Sequence, residues 1–393
     1  MIEHTGENTR RSRVPRFASR ATLTLFGVLV TAVAPALVLA QSTIPSKLTD
    51  KEIWQLNAEF SENGGYFRSD NLLSNETGFQ AVIPYLRSII KPGGVYLGVG
   101  PEQNFTYIVA LQPKIAIIFD IRRGNMIEHL MYKALMEMSA DRADFLSKLF
   151  CRARPAGLDT TTTPDKLFAA YVAATPDSNL YKKNFVAIRE HLASHGFAMG
   201  DSDVKSMEFV YSQFYEAGPL INYNFSSGGG GGFGRGNMPT YVTLQTATDT
   251  AGKNWAYLAT EANYRWLKDF ETKNLLVPVV GNFAGPKAIR AVAQYLKDHQ
   301  AVVSAFYTSN VEQYLFQQDD EWSRFYKNVA TLPLDPNSSF IRSISGGRGY
   351  TSATPQMRYG GRLASVTSGI QDIIKAFNEG KIQYYGDVIG LSK

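Results

Sequence analysis

The sequence predicts an α/β fold in which a mostly parallel β-sheet carries helices on both faces. Short apolar runs typical of buried strands alternate with segments whose apolar residues recur at helical spacing. The apolar share of 44% and the charged share of 19% among 393 residues fit a globular protein with a sizeable core. Glycines and polar residues follow several predicted strands, which is where such sheets bind ligands.

Residues 1–40 are expected to be an export signal or an N-terminal membrane anchor. An arginine-rich segment precedes an uncharged run at 21–40, and Val38-Leu39-Ala40 before Gln41 fits a small-residue cleavage site. The run is also about 20 residues long, enough to span a bilayer, so a retained anchor is the alternative. In both cases we expect the folded part outside the cytoplasm, in the periplasm or secreted.

The charge balance gives no argument for a nucleic-acid partner. The chain has 40 Lys and Arg against 35 Asp and Glu, but the first 40 residues hold five arginines and only two glutamates. The remaining balance of 35 to 33 is too small for an electrostatic footprint. Cys151 is the only cysteine, which excludes an intramolecular disulfide and a cysteine zinc cluster.

A single α/β domain is expected at 61–393, after a linker and short helix at 41–60. A polar loop at 64–76 leads into a helix whose apolar residues, from Phe79 to Ile90, follow i, i+3, i+4 spacing. The run Lys91-Pro92-Gly93-Gly94 ends this helix and precedes the first strand.

The first strand runs from Val95 into a Gly-x-Gly turn at Gly98 and Gly100, and the second strand ends in a carboxylate, Asp120. The segment 104–112 between them is compatible with a short helix. In a Rossmann-type βαβ unit the glycines let the backbone approach a ligand, and the acidic residue accepts hydrogen bonds from ribose hydroxyls. The pattern therefore predicts a Rossmann-like sheet with a nucleoside-type ligand.

The middle third is expected to be a helical and loop insertion at about 152–270. Before it, apolar residues from Ile127 to Met138 form a helical stripe that predicts packing against the core. Helical patches are expected at 167–172 and 183–194. The glycine-rich segment 226–236 is a flexible loop by composition. It lacks the Gly-Lys-Ser/Thr ending of a P-loop, and an active-site lid is the functional alternative.

Regular alternation returns in the last third of the chain. Strands are predicted at 275–280, 301–307 and 340–344. Pro286 suits the first turn of a helix that carries Ile289 and Leu296 on one face. A final helix is expected near 370–377, before a last apolar segment at 384–389.

The candidate binding residues follow the ends of four predicted strands. They are Gly98, Gly100, Pro101 and Glu102 after the first strand, Asp120 after the second, Asn282 after the third and Asn310 after the fourth. Because parallel strands end at one edge of the sheet, we expect these residues to lie together. Asp120 has the alternative of capping a helix or pairing with Arg122 or Arg123. Asp70 and Glu312 are the candidate general bases.

No metal site and no hydrolase triad are predicted. His191 and His195 have the i, i+4 spacing that can place two ligands on one helix face. In the zinc-binding motif His-Glu-x-x-His, a Glu directly follows the first His. This chain has no Glu directly after His191, so the spacing of the two histidines favours a surface helix. No Gly-x-Ser-x-Gly elbow is present, so an α/β-hydrolase nucleophile is missing.

The turn Gly98-Val99-Gly100-Pro101, the Asp120 strand end and the strand–helix–strand ending at Asn310 resemble class I S-adenosylmethionine-dependent methyltransferases. An uncharacterised bacterial family with a methyltransferase-like fold is similar over more of the chain, at 66–123, 281–288 and 309–314. The resemblance implies that S-adenosylmethionine binds with its amino-acid end beside Gly98 and Gly100 and its ribose on Asp120. It also implies methyl transfer to an unknown acceptor.

Two departures from the methyltransferase pattern keep other functions open. Tyr96 stands where those enzymes usually have an acidic residue, and Glu102 stands where a further glycine is common. A non-catalytic exported binding protein on the same fold is therefore the alternative function. A nicotinamide-dependent oxidoreductase is disfavoured, because Gln103 occupies the place of the third glycine of the dinucleotide fingerprint.

Overall fold

Three stretches of the chain are described by the computed structural model, namely residues 42–223, 238–345 and 363–393. The expected export segment 1–40 and the glycine-rich segment 226–236 lie outside these stretches. Within them, no helix has the length and apolar character needed to cross a membrane.

One sheet of six strands organises the described residues. The strands are β1 (Val95–Val99), β2 (Ile115–Asp120), β3 (Leu276–Val280), β4 (Val303–Ser309), β5 (Leu334–Ser345) and β6 (Leu363–Gly369). Their order across the sheet is β3-β2-β1-β4-β5-β6. Strands β1 to β5 run parallel, and β6 pairs antiparallel with β5. The predicted Rossmann-like, mostly parallel α/β fold is confirmed.

Helices pack around the sheet and fill the predicted insertion. They are α1 (Asp50–Phe60), α2 (Ile83–Ile89), α3 (Gln103–Leu111), α4 (Arg123–Glu137), α5 (Arg142–Phe150), α6 (Pro164–Ala173), α7 (Ser178–Ser194), α8 (Asp201–Ala217), α9 (Tyr241–Thr246), α10 (Glu261–Thr272), α11 (Ala288–Asp298), α12 (Val311–Leu315), α13 (Glu321–Val329), α14 (Ile370–Asn378) and α15 (Tyr385–Gly390). Short 3₁₀ turns lie at Phe79–Val82 and Gly218–Leu220. Helices α4 to α10 all belong to the long connection between β2 and β3.

Burial on both faces explains the composition of the strands. Every residue of β2 and β3 is buried, and only the last residue of β1 is partly exposed. Such strands are continuous apolar runs because helices cover both faces of a parallel sheet. The apolar stripe of α4 is also buried, as its spacing predicts.

The edge strand β3 is covered by α1, which therefore belongs to the same core. Pro278 stands in the middle of β3, a position that an edge strand tolerates because it needs hydrogen bonds on one side only. The side-chain amide of Asn57 in α1 donates a hydrogen bond to the Pro278 carbonyl. The helix thus protects an edge that would otherwise be open to pairing.

The centre of the sheet contains a reversal of strand order. The chain moves from β1 outward to β2 and β3 on one side, and from β4 outward to β5 on the other. Because the connections that follow β1 and β4 lead to opposite sides of the sheet, a crevice is left beyond the carboxyl ends of these two strands. In open α/β sheets ligands bind in such a crevice.

Candidate functional site

A cavity of about 810 Å³ lies in this crevice, a volume typical of small-molecule sites. Residues after four strand ends line it: Gly100 and Pro101 after β1, Asp120 and Arg122 after β2, Asn282 and Phe283 after β3, and Ser309 and Asn310 after β4. Further lining comes from the loop before α2, including Phe67, Arg68 and Glu76.

The predicted site residues divide into two groups. The cavity is lined by Gly100, Pro101, Asp120, Asn282 and Asn310. Gly98, Glu102, Asp70 and Glu312 are not among its lining residues. The strand ends thus bring together residues up to 210 positions apart (from 100 to 310), while the other four lie outside the cavity lining.

The two glycines of the first turn serve different purposes. Gly100 has a φ of +77°, and a Cβ added to it would meet no atom within 4 Å, so its backbone is open toward the cavity. A Cβ on Gly98 would lie 2.0 Å from Asn104 Oδ1. Asn104 donates to the carbonyls of residues 99–101 over 2.7–3.2 Å and accepts from the Tyr96 hydroxyl at 2.8 Å. Gly98 therefore makes room for the side chain that holds the turn, and not for a ligand.

Asp120 lies at the cavity wall with its carboxylate already paired. Arg122 donates from Nε to Oδ1 at 2.9 Å and from Nη2 to Oδ2 at 2.7 Å, and its backbone N–H donates to Oδ1 at 2.8 Å. Arg122 also reaches the Ser69 carbonyl at 3.3 Å, which ties the loop over the strand end. Asp120 therefore lies at the strand end as expected. It forms an ion pair with Arg122, which was the predicted alternative to ligand binding.

Glu76 is a carboxylate of the cavity wall that was not among the predicted site residues. It is buried, and it accepts hydrogen bonds from Gln103 Nε2 at 3.0 Å, Tyr307 Oη at 2.7 Å and Ser309 Oγ at 2.6 Å. Desolvation by burial raises the pKa of Glu76 above the usual value of a glutamate. The only sequence signal is the polar run 74–76 before α2, because the partners on β4 are more than 230 residues away.

Aromatic and cationic side chains form the outer wall of the cavity. The rings of Phe67 and Tyr314 meet edge to face with centroids 5.2 Å apart, and the Arg68 guanidinium lies 5.7 Å from the Tyr314 ring. Phe283 and Tyr223 also line the cavity. These surfaces suit a planar ring system, because aromatic faces stack with such rings and with cations.

Glu312 is an internal anchor and not a base in the cavity. Its Oε1 accepts from Tyr326 Oη at 2.6 Å and from Arg342 Nη2 at 3.1 Å, and its Oε2 accepts from Thr308 Oγ1 at 3.1 Å and from Arg342 Nε. Glu312 and Arg342 are both buried, so each charge needs the other. Asp70 is exposed and lies outside the cavity lining. Neither expected base therefore reaches the cavity.

Glu102 lies in a buried polar cluster behind the Gly100 turn. Neither of its carboxyl oxygens has a hydrogen-bond partner among the described residues, and desolvation raises its pKa to about 8. Burial likewise raises the pKa of the neighbouring Glu128. Burial lowers the pKa of His129 to about 4, so this ring is neutral at pH 7, and its Nε2 lies 2.9 Å from the Gly100 carbonyl. The cluster supports the turn from inside the core.

Comparison with protein-family models gives a match over residues 72–377 to a family described as "Domain of unknown function (DUF7790)". The match spans more than three quarters of the chain and contains all six strands and most of the cavity wall. No curated protein matches the chain.

Proposed function

The chain belongs to the family of the domain of unknown function DUF7790, and we propose that it binds a nucleoside-type small molecule in the cavity. S-adenosylmethionine is the first candidate, in line with the resemblance to class I methyltransferases. The observation that supports this proposal is a cavity of about 810 Å³ at the reversal of strand order, bounded by Gly100 and Asp120. Ligands of α/β sheets bind at this point of the fold.

The residues present fit such a ligand at three points. Gly100 offers open backbone at the end of β1, where a ligand can approach closely. Asp120 Oδ2 accepts one hydrogen bond, from Arg122, and a carboxylate oxygen has room for a second, from a ribose hydroxyl. Phe283 and Tyr314 offer ring surfaces for a base.

As an enzyme, the protein would transfer a methyl group, which bound S-adenosylmethionine supplies. Such a transfer depends mainly on the alignment of donor and acceptor. We assign Glu76 the role of accepting a proton from the acceptor, because it lines the cavity between the ends of β1 and β4. Its raised pKa increases its affinity for a proton, and Tyr307 and Ser309 fix its position.

A non-catalytic binding protein on the same fold is the second candidate. The observation in its favour is the Asp120–Arg122 pair, which uses three of the roughly four acceptor positions of the carboxylate. Such a protein would bind a small molecule through the same cavity without transferring a group.

Calorimetric titration of the purified full-length protein with S-adenosylmethionine and with NAD separates these functions. We expect S-adenosylmethionine to bind and Asp120→Ala to weaken that binding by about tenfold, the loss of one charge-assisted hydrogen bond. Asp70→Ala is the matched control, since Asp70 is exposed and outside the cavity. Absence of binding by either compound up to millimolar concentration removes the methyltransferase proposal as well as the disfavoured oxidoreductase, and leaves the non-catalytic function.

The role of Glu76 is tested separately from binding. In Glu76→Gln we expect affinity for S-adenosylmethionine to remain and release of S-adenosylhomocysteine in the presence of an acceptor to fall. Loss of binding together with loss of folding would instead assign Glu76 a structural role through Tyr307 and Ser309.

We also propose that the protein works outside the cytoplasm. The support is the arginine-rich segment and the uncharged run at 21–40. N-terminal sequencing of the native protein from fractionated cells distinguishes a chain that starts at Gln41 from one that keeps residues 21–40 as an anchor. Recovery of the uncleaved chain in the cytoplasmic fraction would contradict export.

A further inference from the structure

Three side chains with metal-binding atoms meet at the ends of two helices, far from the cavity. They are Glu137, the last residue of α4, and His191 and His195 at the end of α7, and one donor atom from each lies within 4.8 Å of the others. Arg122, which lines the cavity, immediately precedes α4. Glu137 lies about 21 Å further along that helix, at 1.5 Å per residue. We propose that this trio binds a divalent metal ion, with Zn²⁺ as the expected occupant.

The two distances from Glu137 to the histidines are close to those between ligands of a tetrahedral ion with two imidazoles and one carboxylate. Glu137 Oε2 lies 2.7 Å from His191 Nε2 and 3.4 Å from His195 Nε2. Two ligand atoms about 2.05 Å from a tetrahedral zinc are separated by about 3.3 Å. One of the two distances already has this value, and the other reaches it by a small side-chain movement at the protein surface.

Charged groups lie beside two of the three ligands, His195 and Glu137. His195 Nδ1 lies 2.9 Å from Asp50 Oδ2, so the ring nitrogen that faces the trio, Nε2, is the one left free to bind a cation. A carboxylate beside the second nitrogen is typical of metal-bound histidines. Lys133 Nζ binds Glu137 Oε1 at 2.8 Å, which leaves Oε2 for the ion.

The site is open to solvent on one side and sequestered on the other. The side chains of His191 and His195 are 26% and 24% exposed, whereas that of Glu137 is 6% exposed. Solvent can therefore deliver the ion and supply a water as fourth ligand. Since the ligands join the ends of α4 and α7 beside the N-terminus of α1, the ion would stabilise this helix layer and take no part in chemistry in the cavity.

The sequence alone did not identify this site, because the carboxylate comes from another helix. His191 and His195 show the expected i, i+4 spacing, but Glu137 stands 54 residues before His191. The glutamate is thus supplied by tertiary packing of α4 against α7.

The test is a titration of the full-length protein with Zn²⁺ after treatment with a chelator and without a polyhistidine tag. We expect one equivalent to bind, and His191→Ala and Glu137→Gln each to weaken binding by about tenfold or more. His299→Ala is the matched control, since this histidine lies after α11 with its Nδ1 2.8 Å from the Tyr295 carbonyl. The proposal would be overturned if His191→Ala bound Zn²⁺ with the affinity of the wild type. It would also be overturned if the wild type bound no Zn²⁺.

Two further measurements keep the result independent of folding defects. At the same Zn²⁺ concentration, the thermal midpoint should rise by the same amount in the wild type and in His299→Ala, and by less in His191→Ala. Co²⁺ in place of Zn²⁺ should give the intense visible bands of a tetrahedral site. Weak bands of a six-coordinate ion would show surface binding only and would contradict the assigned geometry. The circular dichroism spectrum of each variant checks that it is folded.

Discussion

Replacement of Glu102 by glutamine should reduce the pH dependence of folding stability near neutrality. Glu102 is fully buried, and neither of its oxygens has a hydrogen-bond partner within the described stretches. Desolvation raises its pKa from 4.5 to about 8. Glutamine keeps the shape of the side chain and cannot ionise, so the variant isolates the cost of a charge at this position.

The size of the effect follows from the two pKa values. A glutamate whose pKa is higher in the folded protein contributes stability that is fully present below pH 4.5 and is lost as the pH rises toward 8. Each unit of pKa shift corresponds to about 1.4 kcal/mol, so the loss in free energy of unfolding is about 3 kcal/mol at pH 7. Most of this loss falls between pH 5 and pH 7.

Urea unfolding of both proteins at pH 5, 6 and 7 measures this difference. We expect the stability of Glu102→Gln relative to wild type to rise by about 2 kcal/mol over that interval. Glu271, which burial also gives a pKa of about 8, is present in both proteins and cancels. Glu59→Gln, at an exposed glutamate, is the control and should follow wild type. Parallel stability curves for wild type and Glu102→Gln would contradict a raised pKa of Glu102, because they would mean that this side chain ionises in the folded protein without cost.

Three other substitutions or reactions test the roles of buried groups. Glu312→Gln leaves the Arg342 charge buried without its partner and should cost about 3–5 kcal/mol in urea unfolding with ligand affinity unchanged; lost affinity at unchanged stability would contradict its internal role. Gly98→Ala brings a methyl group to 2.0 Å from Asn104 Oδ1 and should cost about 1–3 kcal/mol; a neutral effect would mean that the turn can move aside. The thiol of Cys151, which is buried and has a pKa raised to about 12 by desolvation, should react with a disulfide reagent only after unfolding; fast labelling of the native protein would show local opening.

The strands of the sheet could be predicted because their environment is uniform. A parallel strand with helices on both faces is a short, continuous apolar run, as in β1, β2 and β3. Strand β6 lacks that signal. It contains Ser365, Thr367 and Ser368, and it pairs antiparallel with β5 after a segment outside the described stretches. Its place in the sheet depends on the partner strand more than on its own composition.

The position of the cavity could be predicted, but the chemistry of several residues could not. Strand ends share one edge of a parallel sheet, so Gly100, Asp120, Asn282 and Asn310 line one cavity. Glu312, which also follows a strand, points away from the cavity into an ion pair with Arg342, because a residue after a strand can face either the cavity or the core.

The class of fold, the parallel strands and the edge of the sheet at which the cavity lies could be read from the sequence, because they depend on local periodicity and on the geometry common to all such sheets. The sequence did not reveal which carboxylates face solvent, the cavity or each other. Tertiary packing supplies the hydrogen-bond partners of Glu76 from β4 and brings Glu137 next to two histidines of α7. It also buries Glu102, whose carboxyl oxygens have no hydrogen-bond partner among the described residues. The physical reason is that the pKa and reactivity of a carboxyl group depend on burial and on neighbouring charges, and these come from parts of the chain far away in sequence.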